Sequence, residues 1–192
     1  MKAFEARPEN YCIIEAYREY QFALSALLTG HYRHAFSSLR LTFEMLLHCV
    51  YFSGHEVKFK QWIMGQRDLT WRTLVDEDKG IFSASFVRAF NSDLMDDRKQ
   101  FKALAEAAYR ECSEFVHGNP ERSIRLTGEL SFKKDILAEW EGTMQNMRLS
   151  ALFCYLYRYG GNLSDGQKII LAAPMTDAFG HMPAVQSSFK GF

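Results

Sequence analysis

An arginine and a histidine seven positions apart, Arg110 and His117, sit in the stretch Tyr109-Arg110-Glu111-Cys112-Ser113-Glu114-Phe115-Val116-His117-Gly118. On an α-helix seven residues turn through about 700°, so the two side chains lie within about 20° of each other and roughly 10 Å apart along the axis. Gly118 is placed to end the helix, and Pro120 two positions later is a stop signal. His117 then occupies the last turn, where the helix dipole favours the imidazolium. A fixed cation and a titratable ring on one face suit chemistry on a phosphodiester. A plainer reading stands beside it: Glu106 and Glu114 flank Arg110 at four-residue steps, so Arg110 could be an exposed ion-paired residue and His117 a capping histidine.

These residues need a scaffold, and the apolar pattern supplies helices. Pro8 to Leu28 reads as a first helix, with Ile13, Tyr17, Tyr20, Leu24, Leu27 and Leu28 as its inner face and Gly30 beyond its end. Tyr32 to Phe52 reads as the second, with a wide aromatic and aliphatic face. It also carries a polar stripe of Ser37, Arg40, Glu44 and His48, either a solvated surface or the lining of a cleft. Short amphipathic helices follow at Val57 to Met64 and Ser83 to Leu94. Asp96 to His117 forms the third long helix: Phe101, Leu104, Ala105, Ala108, Cys112, Phe115 and Val116 face the core, while Glu106, Arg110, Ser113 and His117 share another face. Residues 118–128 read as a loop holding Arg122 and Arg125. Ser131 is the expected N-cap of a fourth helix running to Tyr159, with Phe132, Ile136, Trp140, Met144, Met147, Ala151 and Tyr155 as its stripe. Beyond Asn162 the pattern predicts an irregular tail that docks on the bundle. No segment alternates with period two. The expected fold is one all-α domain over residues 1–192, a four-to-five-helix bundle with core about 9–160, accessory helices and a C-terminal extension at 161–192.

Composition narrows the chemistry. The 23 basic and 23 acidic residues cancel, so any nucleic-acid site has to be a local patch. Arg122, Arg125, Lys133 and Lys134 are the candidate patch, with an ordinary charged surface as the alternative. The four cysteines are dispersed in apolar helical pattern, as expected of reduced buried thiols in a cytoplasmic protein. The first eight residues lack a hydrophobic signal core, and no apolar run is long enough to span a membrane. Phosphate-binding glycine loops, GxSxG, HExxH and CxxC are absent from the sequence. His31 and His34 are three apart but lack a third ligand nearby, and like His48 and His55 they read as surface or capping histidines. No metal or other cofactor is expected.

The second helix, LLTGHYRHAFSSLRLTFEMLLHCVYFS, together with YRECSEFVHG, resembles the HEPN superfamily across roughly Tyr11 to Tyr159. The family is all-α, and many members are metal-independent ribonucleases of toxin–antitoxin, phage-exclusion or CRISPR-associated systems. Its signature is an Arg, four to six residues, and a His near the end of the third main helix; Arg110 and His117 match with six between. The run Arg40-Leu41-Thr42-Phe43-Glu44 is similar to the Arg-and-Glu pattern of bacterial members. The resemblance implies a homodimer in which Arg110 and His117 of both chains face one cleft. Ser113 would orient, Arg40 and Glu44 would support, and the basic patch would contact RNA phosphates. It also implies a cognate protein partner, an antitoxin or defence-complex subunit, and no membrane. Catalytic members usually follow the Arg with Asn, Asp or His, and this chain has Glu111. That departure favours the alternative, a non-catalytic HEPN-like module for dimerisation or for binding a partner or nucleotide.

Overall fold

The computed structural model describes residues 7–126, 130–189 and 191. The N-terminal six residues and the end of the expected 118–128 loop lie outside that range. Among the described residues there are ten α-helices and no strand. Four of them are long: α1 (Asn10–Leu28), α2 (Tyr32–Ser53), α6 (Arg98–Val116) and α8 (Lys134–Tyr159). Between α2 and α6 lie α3 (Glu56–Ile63), α4 (Trp71–Val75) and α5 (Ala84–Phe90). Then α7 (Pro120–Arg125) links α6 to α8, and α9 (Asp165–Phe179) and α10 (Pro183–Ser188) complete the chain.

The centre of the bundle is α2, which packs on α1, α6 and α8. Its apolar residues are too many for one stripe, so most of its circumference is covered and thirteen of its residues are buried. Phe36 stacks on Phe115 of α6 at 3.8 Å between centroids, and Phe101 of α6 stacks on Phe153 of α8 at 4.3 Å. Polar side chains tie the same helices together: Trp140 donates to the Ala35 carbonyl at 3.4 Å, Tyr155 to that of Leu46 at 3.2 Å, and Ser150 to that of Phe101 at 3.1 Å. Each donor thereby avoids the cost of a buried, unpaired polar group.

Several boundaries and faces differ from expectation. The inner face of α1 is made of Cys12, Ala16, Ala23 and Leu27, whereas Tyr17 is 68% exposed and Leu28 79%. Small residues allow α1 close to α2, and the large ring then turns outward. Residues 120–125 are helical rather than loop, and α8 begins at Lys134 with no side-chain cap, so Ser131 is not its N-cap. The tail is helical, not irregular. Ser164 and Gln167 form a reciprocal capping box that starts α9, and Pro174 is carried within the helix. No helix among the described residues is long and apolar enough to cross a membrane.

Candidate functional site

The end of α6 follows from its local sequence. Gly118 adopts φ +68°, the left-handed conformation that L side chains avoid. The Asn119 N–H reaches back to the Glu114 carbonyl at 3.2 Å, and the His117 N–H bonds the Ser113 carbonyl at 2.9 Å. This reversal satisfies carbonyls that the helix end would leave open. It places His117 as the capping residue with an exposed side chain, one turn beyond Ser113.

Arg110 is exposed and forms no ion pair among the described residues. Its three acidic neighbours are engaged elsewhere. Glu106 faces Lys102 at 3.8 Å. Glu111 and Glu114 both meet Arg122, at 2.5 and 3.1 Å. The ion-paired alternative for Arg110 therefore does not describe this structure. Ser113 donates its hydroxyl to the Tyr109 carbonyl at 2.8 Å, leaving the oxygen's lone pairs as acceptors.

Arg40 and Glu44 pair at 3.1 Å and are largely shielded from solvent. Arg40 also donates to the Tyr109 hydroxyl and lies with its guanidinium carbon 4.4 Å from the centre of that ring. Tyr109 in turn stacks on Trp71 at 3.9 Å. Burial first, then the Glu44 carboxylate, pushes the Tyr109 phenol up to about 12. The pair thus reaches α6 through the residue before Arg110, which points about 100° away round the helix; no contact joins it to Arg110 or His117. His48 leaves the polar stripe altogether. It is 2% exposed, its Nδ1–H donates to the Glu44 carbonyl at 2.7 Å, and burial lowers its pKa to about 4. It is a neutral core histidine, not a surface or capping one.

The basic patch is also occupied. Arg122 forms ion pairs with Glu139, Glu111 and Glu114, and its guanidinium carbon lies 5.3 Å from the centre of the Phe115 ring. Arg125 meets Glu139 at 2.7 Å and Asp135 at 3.0 Å, and Lys133 donates its ammonium to the Arg125 carbonyl. Lys134 alone of the four is exposed with no such partner among the described residues. Glu111 Oε1 lies close to Arg122 but too obliquely to count as a hydrogen bond. Burial, reinforced by the neighbouring Glu139 carboxylate, raises the Glu111 carboxyl to about 7, against the pull of Arg122.

The four cysteines are free and buried, and burial raises their thiols, that of Cys49 to about 11. No group of three or more His, Cys, Asp or Glu suited to a metal occurs among the described residues. His31 and His34 sit 6.1 Å apart between ring centres. Compared with protein-family models, curated proteins and solved structures, the chain matches none.

The structure assembles one group of functional-looking residues that motif reading passes over. Lys58, Arg67, Arg72 and Lys79 line a single cavity beside the C-terminal end of α2. They are spread over two short helices and the segments on either side of the second, with no common spacing, so only the three-dimensional arrangement reveals them.

Proposed function

We propose that the chain is a HEPN-type endoribonuclease acting as a homodimer, with Arg110 and His117 as its catalytic residues. The observation that carries this reading is the state of Arg110. It is exposed and without an ion pair among the described residues, although three carboxylates lie within about one helical turn, and it shares a helix face with an exposed His at the helix end. Carboxylates turned aside toward Lys102 and Arg122 leave the guanidinium fork available to an anion.

In the reaction, the RNA 2′-hydroxyl attacks the adjacent phosphorus and loses its proton to a neutral imidazole. The bond to the 5′-oxygen breaks, and that oxygen takes a proton from an imidazolium. The products are a 2′,3′-cyclic phosphate and a 5′-hydroxyl. Arg110 holds the charge gathering on the non-bridging oxygens. Two proton transfers call for two histidines, one from each protomer. Lys134 is the remaining candidate for a flanking phosphate, because Arg122 and Arg125 already meet carboxylates.

The test incubates the purified chain with mixed RNAs in the presence of a chelator. Cleavage to cyclic-phosphate ends is expected, falling roughly 100-fold or more in both Arg110→Ala and His117→Ala. An inert wild type, or equal cleavage by all three proteins, overturns the assignment.

A second reading, a module that binds a partner protein, is favoured by α1. Ile14, Tyr17 and Phe22 are all more than half exposed, and Tyr17 borders an apolar cavity of about 470 Å³ between α1, α2 and α8. An inert wild type that is nonetheless a stable dimer favours this reading.

A further inference from the structure

Where α2 ends, the chain turns through α3, α4 and α5 and borders an open cavity of about 750 Å³. That volume lies within the range of small-molecule sites. Its floor is aromatic. The His55 ring stacks on Tyr51 at 4.3 Å and on Phe86 at 5.8 Å, and its Nδ1–H donates to the Tyr51 carbonyl at 2.9 Å. The rim is cationic: Lys58 on α3, Arg67 in the segment before α4, Arg72 on α4 and Lys79 in the turn after it. None of these four forms an ion pair among the described residues, whereas Arg40, Lys102, Arg122 and Arg125 all do.

The local carboxylates do not cancel the rim. Asp76 and Asp78 border the cavity, so four cations face two carboxylates, a surplus of two positive charges in a chain whose total is zero. Asp76 is committed to the turn, accepting the N–H groups of Asp78 at 3.0 Å and Lys79 at 2.8 Å. Glu77, between them, is drawn away to Lys102. Gly80 shapes the same turn. A Cβ there would meet the Leu74 carbonyl oxygen at 2.4 Å and the Asp76 carbonyl oxygen at 2.6 Å. Hydroxyl donors complete the lining: Thr70 and Thr73, 2.7 Å apart, and Tyr51, whose hydroxyl makes no hydrogen bond among the described residues.

We propose that this cavity binds a small ligand carrying two or more linked phosphate groups, gripped by Lys58, Arg67, Arg72 and Lys79. Two guanidinium forks and two ammonium groups outnumber what one phosphate can meet, and the forks match phosphate oxygens in pairs. The site is separate from Arg110 and His117 and stands or falls independently of them.

Isothermal titration calorimetry on the full chain provides the test, with inorganic tripolyphosphate, ATP and a single-stranded RNA oligomer as probes. Tripolyphosphate and ATP are expected to bind, each roughly tenfold more weakly in Arg67→Gln and in Arg72→Gln, and unchanged in Arg110→Ala. Arg72 and Lys79 are exposed, so Arg72→Gln and Lys79→Gln keep the test clear of folding defects, which thermal unfolding checks directly. The proposal is overturned if tripolyphosphate gives no heat at millimolar concentration, or if its binding survives the Arg67→Gln/Arg72→Gln pair intact. Binding of the RNA with no binding of tripolyphosphate overturns it in favour of an RNA path. Loss of ribonuclease activity in Arg110→Ala with tripolyphosphate binding retained separates the two sites.

Discussion

Two clusters of arginine and lysine sit at different corners of this bundle, and they are in opposite states. Where α6, α7 and α8 meet, Arg122 and Arg125 are surrounded by Glu111, Glu114, Asp135 and Glu139. At the end of α2, Lys58, Arg67, Arg72 and Lys79 face a cavity and form no ion pair among the described residues. In sequence the first cluster looks like the anion site, because its basic residues lie close together behind a candidate catalytic histidine. In three dimensions that cluster is a structural joint, and the dispersed residues form the open site. Local density of positive charge in a chain says little about anion binding until the carboxylates it folds against are known.

The sharpest way to break this contrast is Arg122→Ala. It strips one cation from three carboxylates at the joint. The expected loss is about 2–3 kcal/mol, somewhat below the roughly 3–5 kcal/mol for breaking a fully buried pair because Arg122 keeps some exposure. Thermal unfolding should fall by roughly 5–10 °C. A change of under about 1 °C would mean that the joint is only a screened surface network. Gly80→Ala should cost about 1–3 kcal/mol by forcing a methyl against backbone, and should abolish tripolyphosphate binding along with the turn. Retained binding at full affinity would detach the turn from the cavity.

A subtler effect concerns protons at the joint. Because folding raises the Glu111 pKa from 4.5 to about 7, the native state holds a proton that the unfolded chain has released in that interval. The contribution is present below pH 4.5 and is lost as pH rises through about 7. Glu111→Gln should therefore flatten the decline in unfolding temperature between pH 5 and 8, and parallel wild-type and variant profiles would contradict the raised Glu111 pKa. Smallest of all, Arg72→Ala at the open site should change stability by no more than about 0.5 kcal/mol, since it leaves no carboxylate unpaired.

Much of the architecture was legible in the chain. The three-and-four spacing gave the existence of α2, α6 and α8 and the core faces of α2 and α6, and Gly118 marked the end of α6 correctly. The α8 stripe held only in part: Ile136, Trp140, Met147 and Ala151 are buried, but Phe132 precedes the helix and is exposed, and Phe153, Cys154 and Tyr157 enter the core instead because the helix is covered on more than one side. α1 was found, but its face was misjudged, because the larger apolar area of Tyr17 outweighs that of Ala16 in the pattern while close packing on α2 selects the smaller residue. The C-terminal helices were hidden by Pro174, Gly180 and Pro183, strong local breakers that outweighed the Ser164–Gln167 capping signal. For the site, the shared face of Arg110 and His117 followed from helical geometry alone. The partners of Glu111 and Glu114 did not, because Arg122 reaches them only through a reversal at Gly118 and a short helix that the pattern did not predict. His48 was misplaced for a related reason. A ring that satisfies its own donor on the Glu44 carbonyl can enter a core, and sequence spacing carries no record of that bond.

The joint has a further consequence in the exchange of backbone amides with solvent. α7 is only six residues long, too short to persist as an isolated helix. Its order is borrowed from the contacts that Arg122 and Arg125 make to α6 and α8. Amide protection in α7 should accordingly erode as salt is raised, while the amides of α2, enclosed by apolar packing, keep theirs. This corner of the fold would open locally under ionic conditions that leave the rest of the molecule closed.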